Sequence, residues 1–158
     1  VKSLFVTTGT QFPFDRLLEL VEEWASHNVS TKIIAQTCAS QINFKHIEAY
    51  EFLSPQKYKE VITNTKVIIG HAGMGTIITA HENSLPVIIM PRRLAFEEHR
   101  NDHQMATVAK FKNTKGVYVA DDERSLFTLL NNIENLEPCN DKVPNNRHEL
   151  IEYLKRAI

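Results

Sequence analysis

The chain has 158 residues, 42% of them hydrophobic and 23% charged, enough for one domain with a proper core and of ordinary globular composition. Eighteen basic against nineteen acidic side chains leave a formal net charge of −1, which argues against a nucleic-acid partner beyond a local pair such as Arg92-Arg93. Cys38 and Cys139 are far apart and lack a metal-like spacing, so they suggest a reducing compartment rather than a disulfide framework. No apolar run approaches the ~20 residues of a membrane-spanning helix, and Val1 leads straight into a strand pattern without a signal-peptide layout. The expectation is a cytoplasmic protein, with association to a membrane through a partner left open.

In chain order, Leu4–Thr7 reads as a buried strand, followed by the loop Thr8-Gly9-Thr10-Gln11. Asp15 is the expected N-cap of a helix to about Ser26, with Leu17, Leu18, Val21 and Trp24 at helical spacing. Lys32–Gln36 and Ala49–Leu53 are the next two strands. Ser54-Pro55 opens a helix to about Asn64, since serine caps well and proline is tolerated in the first turn. Val67–Ile69 is a fourth strand, Thr76–Asn83 a helix and Val87–Met90 a fifth strand. Asp102 to about Phe111 is expected to be helical, Val117–Val119 a sixth strand, and helices follow near Glu123–Ile133 and Arg147–Ala157. Strands alternating with helices point to an α/β fold, a doubly wound, Rossmann-like parallel sheet of about six strands in one domain, 1–158.

Three of the five glycines, Gly70, Gly73 and Gly75, fall at one strand-to-helix junction. Glycine there lets the backbone approach a ligand closely, and the helix N-terminus offers N–H groups and partial positive charge. With His71 and Thr76 the junction suits a phosphate or diphosphate; the alternative is a tight turn capped by Thr76. A second polar cluster follows the next strand and would lie beside the first, at the carboxyl edge of the sheet, where open α/β folds bind ligands. Thr8-Gly9-Thr10 is a weaker loop, for which a plain turn serves equally well. It lacks the G-x-G-x-x-G fingerprint, and the second strand does not end in an acidic residue, so dinucleotide binding is disfavoured.

His99 and His103 stand four apart with Glu98 and Asp102 nearby, the spacing of two imidazoles on one helix face. The pattern is not H-E-x-x-H and supplies no clear third ligand, so no metal site is expected and no cofactor is indicated. The adjacent Glu97 and Glu98 are expected to be solvated. His81 is placed on an exposed or partly exposed helix side with a structural role only.

The runs His71-Ala72-Gly73-Met74-Gly75-Thr76, Leu85-Pro86-Val87-Ile88-Ile89-Met90-Pro91-Arg92 and Glu98-His99-Arg100-Asn101-Asp102-His103-Gln104 together resemble the donor-binding half of two-lobed glycosyltransferases. The likeness is to the C-terminal, donor-binding lobe of the GT-B fold, and in particular to family 28 C-terminal domains. More closely, they resemble the small catalytic subunits of two-component enzymes, such as those of bacterial exopolysaccharide synthesis and of the eukaryotic transferase that adds the second GlcNAc to dolichol-linked sugar. The opening Phe5-Val6-Thr7-Thr8-Gly9-Thr10 and Phe14-Asp15-Arg16-Leu17 fit the same family. The resemblance covers essentially the whole chain. It implies a UDP-sugar donor, a lipid-linked (polyprenyl-diphosphate) sugar acceptor and a membrane-anchored partner subunit that carries the acceptor half and recruits the chain to the inner membrane face. It also implies inverting, metal-independent transfer and an isolated chain that is inactive alone.

Residue by residue, the resemblance implies that His71, Gly73, Gly75 and Thr76 surround the donor diphosphate, with Gly9 and Thr10 facing it from the other side and Ala72 and Met74 counted with the donor-binding residues. Glu98, His103 and Gln104 are counted with the donor-binding residues, His103 and Gln104 reaching the sugar hydroxyls. Thr79 stands where many relatives carry a ribose-binding glutamate, with Glu82 three residues later. Ser84 and Asn101 replace a glycine and an aspartate usual in close relatives. The general base is unassigned: Glu97, Glu98 and His99 qualify by proximity alone, and the partner is an equal source. The charge developing on the departing phosphates needs donors such as a helix N-terminus, an imidazole or a hydroxyl, which the junction supplies. The alternative reading is a non-catalytic module that binds nucleotide-sugar; an epimerase is disfavoured, since such enzymes need both lobes in one chain. In the last segment, 145–158, Leu150, Ile151, Leu154 and Ile158 recur at helical spacing. They form a helix that either packs on its own sheet or docks on the partner.

Overall fold

Four of the strands are short and apolar on both sides of the pleat, the pattern of a parallel sheet covered by helices on both faces. The computed structural model describes residues 2–93, 96–98 and 103–139, with only the backbone of His103. Its elements run β1 (Ser3–Thr7), α1 (Asp15–Ser26), β2 (Ile33–Gln36), β3 (Glu48–Tyr50), α2 (Pro55–Thr63), β4 (Thr65–His71), α3 (Met74–Glu82), β5 (Val87–Met90), α4 (His103–Phe111), β6 (Val117–Val119) and α5 (Glu123–Asn131), then a short 3-10 turn, Ile133–Asn135. All six strands join one sheet in the order β3-β2-β1-β4-β5-β6, every pair parallel. The expected doubly wound α/β fold is the observed one. The anticipated helix over 147–157, and with it the segment 145–158, lies outside the described residues.

Successive strand residues face opposite layers. Leu4, Val6, Ile33, Ala35, Val67, Ile69, Ile88 and Met90 pack with Leu17, Leu18, Val21 and Trp24 of α1 and Leu126 and Leu130 of α5. Phe5, Ile34, Ile68, Val87 and Ile89 pack against Val61 and Ile62 of α2, Ile77 and Ile78 of α3, and Val108 and Phe111 of α4. Trp24 joins the two helices of the first layer by donating its indole N–H to Asn131 Oδ1 at 2.8 Å. Chain order reverses between β1 and β4: the chain moves outward one way to β2 and β3, then returns across β1 to β4 and continues to β5 and β6. Their carboxyl ends therefore diverge into loops that leave a crevice between them.

Several local expectations change. Phe14, not Asp15, takes the N-cap of α1, because its ring is fully buried in the core. Asp15 enters the first turn, where its carboxylate still suits the helix dipole and accepts from Ser40 Oγ at 2.7 Å. Gly73 is the N-cap of α3, so Thr76 lies inside the helix and is buried instead of capping it. Ser54 caps α2 as expected, accepting from Lys57 N at 3.2 Å with Pro55 next in line. His81 is buried at 5% exposure instead of facing solvent. Its Nδ1 bonds the Ile77 carbonyl at 3.0 Å, while Nε2 is buried without a partner. Glu98 is not solvated either, for reasons given with the site.

The end of α3 shows what a glycine would do at position 84, where the resemblance implies one in close relatives. The Ser84 N–H reaches the His81 carbonyl at 3.2 Å and the Leu85 N–H reaches the Ala80 carbonyl at 2.9 Å, the paired bonds that close a helix through a left-handed residue. Ser84 is that residue, at φ 50°, a conformation costing an L-residue roughly 1–2 kcal/mol. Ser84→Gly should therefore raise stability by up to about 1 kcal/mol once the greater freedom of unfolded glycine is deducted, as read from urea denaturation. Burial lowers the pKa of His81 below its ordinary 6.5, so protons favour the unfolded chain. Stability is fully present above pH 6.5 and falls as pH drops from there toward the lower folded-state value. The difference in denaturation midpoint between pH 7.5 and 5.5 should shrink in His81→Leu relative to wild type.

Candidate functional site

The loops after β1, β4 and β5 meet above the β1–β4 crevice and enclose two adjoining clefts. The larger, about 430 Å³, is lined by Thr8 to Phe12, His71, Gly73, Met74, Gly75, Arg92 and Gln104. The smaller, about 320 Å³, is lined by Thr7, Gly9, Thr10, Gln36, Tyr58, Ile68, His71, Gly75, Thr76 and Thr79. Gly9, Thr10, His71 and Gly75 border both and form the ridge where they join. The first turn of α3 opens onto that ridge, and its N-cap Gly73 provides no side-chain hydrogen bond. The N–H groups and the positive end of the dipole are thus turned toward the clefts.

His71 ends β4, and its imidazole sits between two backbones. A Cβ on Gly9 would come within 3.0 Å of Nε2, and one on Gly73 within 2.4 Å of Cε1. Gly9 also has φ +78°, so both its conformation and the imbedded ring exclude a side chain there. The ring is held from behind by Gln104, in the first turn of α4. Gln104 Nε2 lies 3.0 Å from His71 Nδ1, and Gln104 Oε1 accepts from Arg92 N at 2.9 Å and Ala72 N at 3.2 Å. One amide thereby joins the ends of β4 and β5 to α4, and it is 7% exposed.

Arg92, which the sequence offered as half of a basic pair and as the end of the run Leu85–Arg92, is buried to 2%. Its guanidinium donates to the carbonyls of Phe12 at 2.7 Å, Pro13 at 2.8 Å and Glu98 at 3.3 Å, and also to that of Thr8. It stacks 5.0 Å from the centre of the Phe14 ring. Burial pushes its pKa down, with Glu98 and Cys38 opposing that shift, but an arginine remains charged. It is the cationic side chain among the described residues bordering either cleft. The available signal was positional: a basic residue directly after a wholly apolar strand. Tyr58 and Gln36 border the smaller cleft without any such signal. Tyr58 packs edge-on against Phe5, with ring centres 5.7 Å apart, and its hydroxyl lies 3.5 Å from Thr79 Oγ1. Gln36 spans the cleft floor, bonding Leu53 N at 2.9 Å.

Of the sequence-derived residues, Gly9, Thr10, His71, Gly73, Met74, Gly75, Thr76 and Gln104 border one cleft or both. Ala72 is fully buried and turned into the core. Glu98 borders neither cleft. Its carboxylate forms a two-point pair with Arg16, 2.9 Å at each oxygen, and accepts from Arg93 N at 3.1 Å. The arginine fork and the backbone donor hold the carboxylate inward, where sequence suggested a solvated charge. The side chain of His103 lies outside the described residues, as do His99 and Asp102. Among the described residues no three metal-ligating side chains gather, and no helix is long and apolar enough to cross a membrane.

The fold recurs among glycosyltransferases. The solution structure of ALG13 superposes with a TM-score of 0.66 at 19% identity, over 97% of this chain and 94% of that one. The glycosyltransferase of kitacinnamycin gives 0.62 at 14% identity, over 99% of this chain and 39% of that one. Os79 from O. sativa, solved in complex with UDP, gives 0.60 at 16% identity, over 98% and 36%. The chain thus spans well under half the length of those two larger enzymes but nearly all of ALG13. No curated protein sequence matches it. The model of the glycosyltransferase family 28 C-terminal domain matches residues 3–157, nearly its full length, and the chain belongs to that family.

Proposed function

We propose that this chain is the donor-binding part of a glycosyltransferase that moves a sugar from a UDP-sugar to a lipid-linked acceptor. The observation that carries the reading is the ridge of Gly9, Thr10, His71 and Gly75 between two clefts, facing the uncapped first turn of α3. A diphosphate on that ridge would place its two substituents in the two clefts, and the helix terminus would bear on the charge that grows as the sugar departs. Membership of the family and the UDP bound in a structural neighbour support the choice of ligand.

Two features support a partner. Neither cleft is lined by an acidic side chain among the described residues, and Glu98 is committed to Arg16. We therefore place the general base, and the acceptor site, on a second, membrane-anchored polypeptide that draws this chain to the cytoplasmic face of the membrane. The superposition on ALG13 over nearly the whole of both chains fits a donor-binding lobe of this size. The segment 145–158 is the proposed docking element. Transfer is proposed to be inverting and independent of metal, the backbone donors at the start of α3 taking the part a divalent ion plays elsewhere.

Gly75 gives the sharpest test, because a Cβ there meets nothing within 4 Å and projects into the space both clefts share. Gly75→Ala should fold at least as well as wild type, gaining up to about 1 kcal/mol in helix propensity. Its affinity for UDP by calorimetry should nevertheless fall about tenfold or more; unchanged affinity would remove the ridge from the diphosphate site. With the partner present, sugar transfer should persist in EDTA. Loss of transfer on chelation, restored by Mn²⁺ or Mg²⁺, would overturn the metal-independent assignment.

A further inference from the structure

The hydrogen bonds around Gln104 fix more than its own position. A backbone N–H can only donate, so the atom facing Arg92 N and Ala72 N must be the amide oxygen. The amide NH₂ is then the group 3.0 Å from His71 Nδ1, and an NH₂ can only donate. Nδ1 must therefore offer a lone pair, which leaves the ring proton of a neutral imidazole on Nε2. Nε2 belongs to the ring edge lying against Gly9, on the ridge between the clefts.

We infer that Gln104 is a positioning residue that locks His71 in the Nε2–H tautomer and so aims an N–H donor at the ridge. This role is additional to the contact with sugar hydroxyls that the resemblance implies for Gln104. The three hydrogen bonds turn the amide oxygen toward the protein, and the amide's effect on an anion at the ridge passes through His71. The opposite tautomer would point a lone pair at an anion seated on the ridge and replace attraction with repulsion. The significance for an anion rests on the proposed diphosphate site, while the tautomer itself does not.

The test is a long-range proton–nitrogen correlation spectrum of the ¹⁵N-histidine-labelled chain, with His71→Ala identifying the His71 signals. Wild type should show Nδ1 bare and Nε2 protonated; a proton on Nδ1, or a mixture of tautomers, overturns the inference. Gln104→Glu keeps an oxygen for Arg92 N and Ala72 N but has no proton to give when ionised. In that variant Nδ1 should gain a proton, and an Nδ1 that stays bare overturns the inference equally. A cycle of affinities for UDP, which carries no sugar, isolates the effect that passes through His71 from direct contact with the nucleotide. Gln104→Ala should bind about tenfold more weakly, the scale of one charge-assisted hydrogen bond, and should add little to the loss in His71→Ala. Additive losses would mean that Gln104 touches the ligand directly and would overturn the positioning role. Failure of the wild-type chain to bind UDP, with the tautomer as expected, would instead overturn the diphosphate reading and leave the lock standing.

Discussion

The site depends on a buried guanidinium. Arg92, at 2% exposure, has no carboxylate among its hydrogen-bond partners and is solvated by carbonyl oxygens of Thr8, Phe12, Pro13 and Glu98. Withdrawing such an ion from water costs several kcal/mol unless its donors are satisfied. Four bonds involving a charged donor, each worth about 1.5–3 kcal/mol, are of the size needed to offset that cost. The carbonyls have the converse problem. Those of Thr8, Phe12 and Pro13 converge from one irregular loop and that of Glu98 from another, and a planar, five-donor group can serve all of them from one point. Cation and loop thus stabilise each other. The conformation this enforces brings Gly9 against the His71 ring, so the ridge exists because the arginine is buried.

Gln104 extends the same logic across the sheet. Arg92 N–H is bonded by Gln104 Oε1 while the Arg92 guanidinium holds the β1 loop. The loop after β5 therefore connects the first wall of the larger cleft to the third, and the amide adds the second through Ala72 and His71. Glu98 closes the circuit from outside, its carbonyl on Arg92 and its carboxylate on Arg16 of α1. These are buried or half-buried polar contacts with few unsatisfied members, the condition under which such a network rigidifies a site.

The layered fold was legible because it is written in periodicity. Val87–Ile89, apolar at every position, has to be a strand buried on both faces, and the Ser54-Pro55 pair marks a helix start by itself. The glycine-rich junction was legible because glycine beside histidine at a strand end has few other uses. What sequence did not disclose was which polar side chains turn inward. Glu98 in a charged loop, Arg92 in an arginine pair and His81 on a helix all look solvent-facing, and each is turned inward by a partner or a layer remote in sequence: Arg16 is 82 positions from Glu98, and Thr8 is 84 from Arg92. Asp15 shows the local version of the limit. Its cap propensity is real, but burying the Phe14 ring outweighs the roughly 1 kcal/mol a side-chain cap supplies.

The two clefts share a third property, which bears on how transfer would be controlled. Both open at the carboxyl edge of one sheet, walled by the loops of that edge together with α3 and Tyr58 of α2, so a ligand on the ridge would stay in contact with water on the side away from the protein. Dipoles and N–H donors gain their full catalytic worth only where water is excluded. On the proposed reading, the chain alone can therefore hold a donor without stabilising its departing phosphates fully. A second lobe closing over the edge would exclude that water and bring the acceptor in one step. The absence of an acidic side chain from the walls described here fits that division, because a base held on the other lobe reaches the sugar only after closure. On that reading a half-site would bind its donor first and protect it from hydrolysis by withholding the base, without any additional gate.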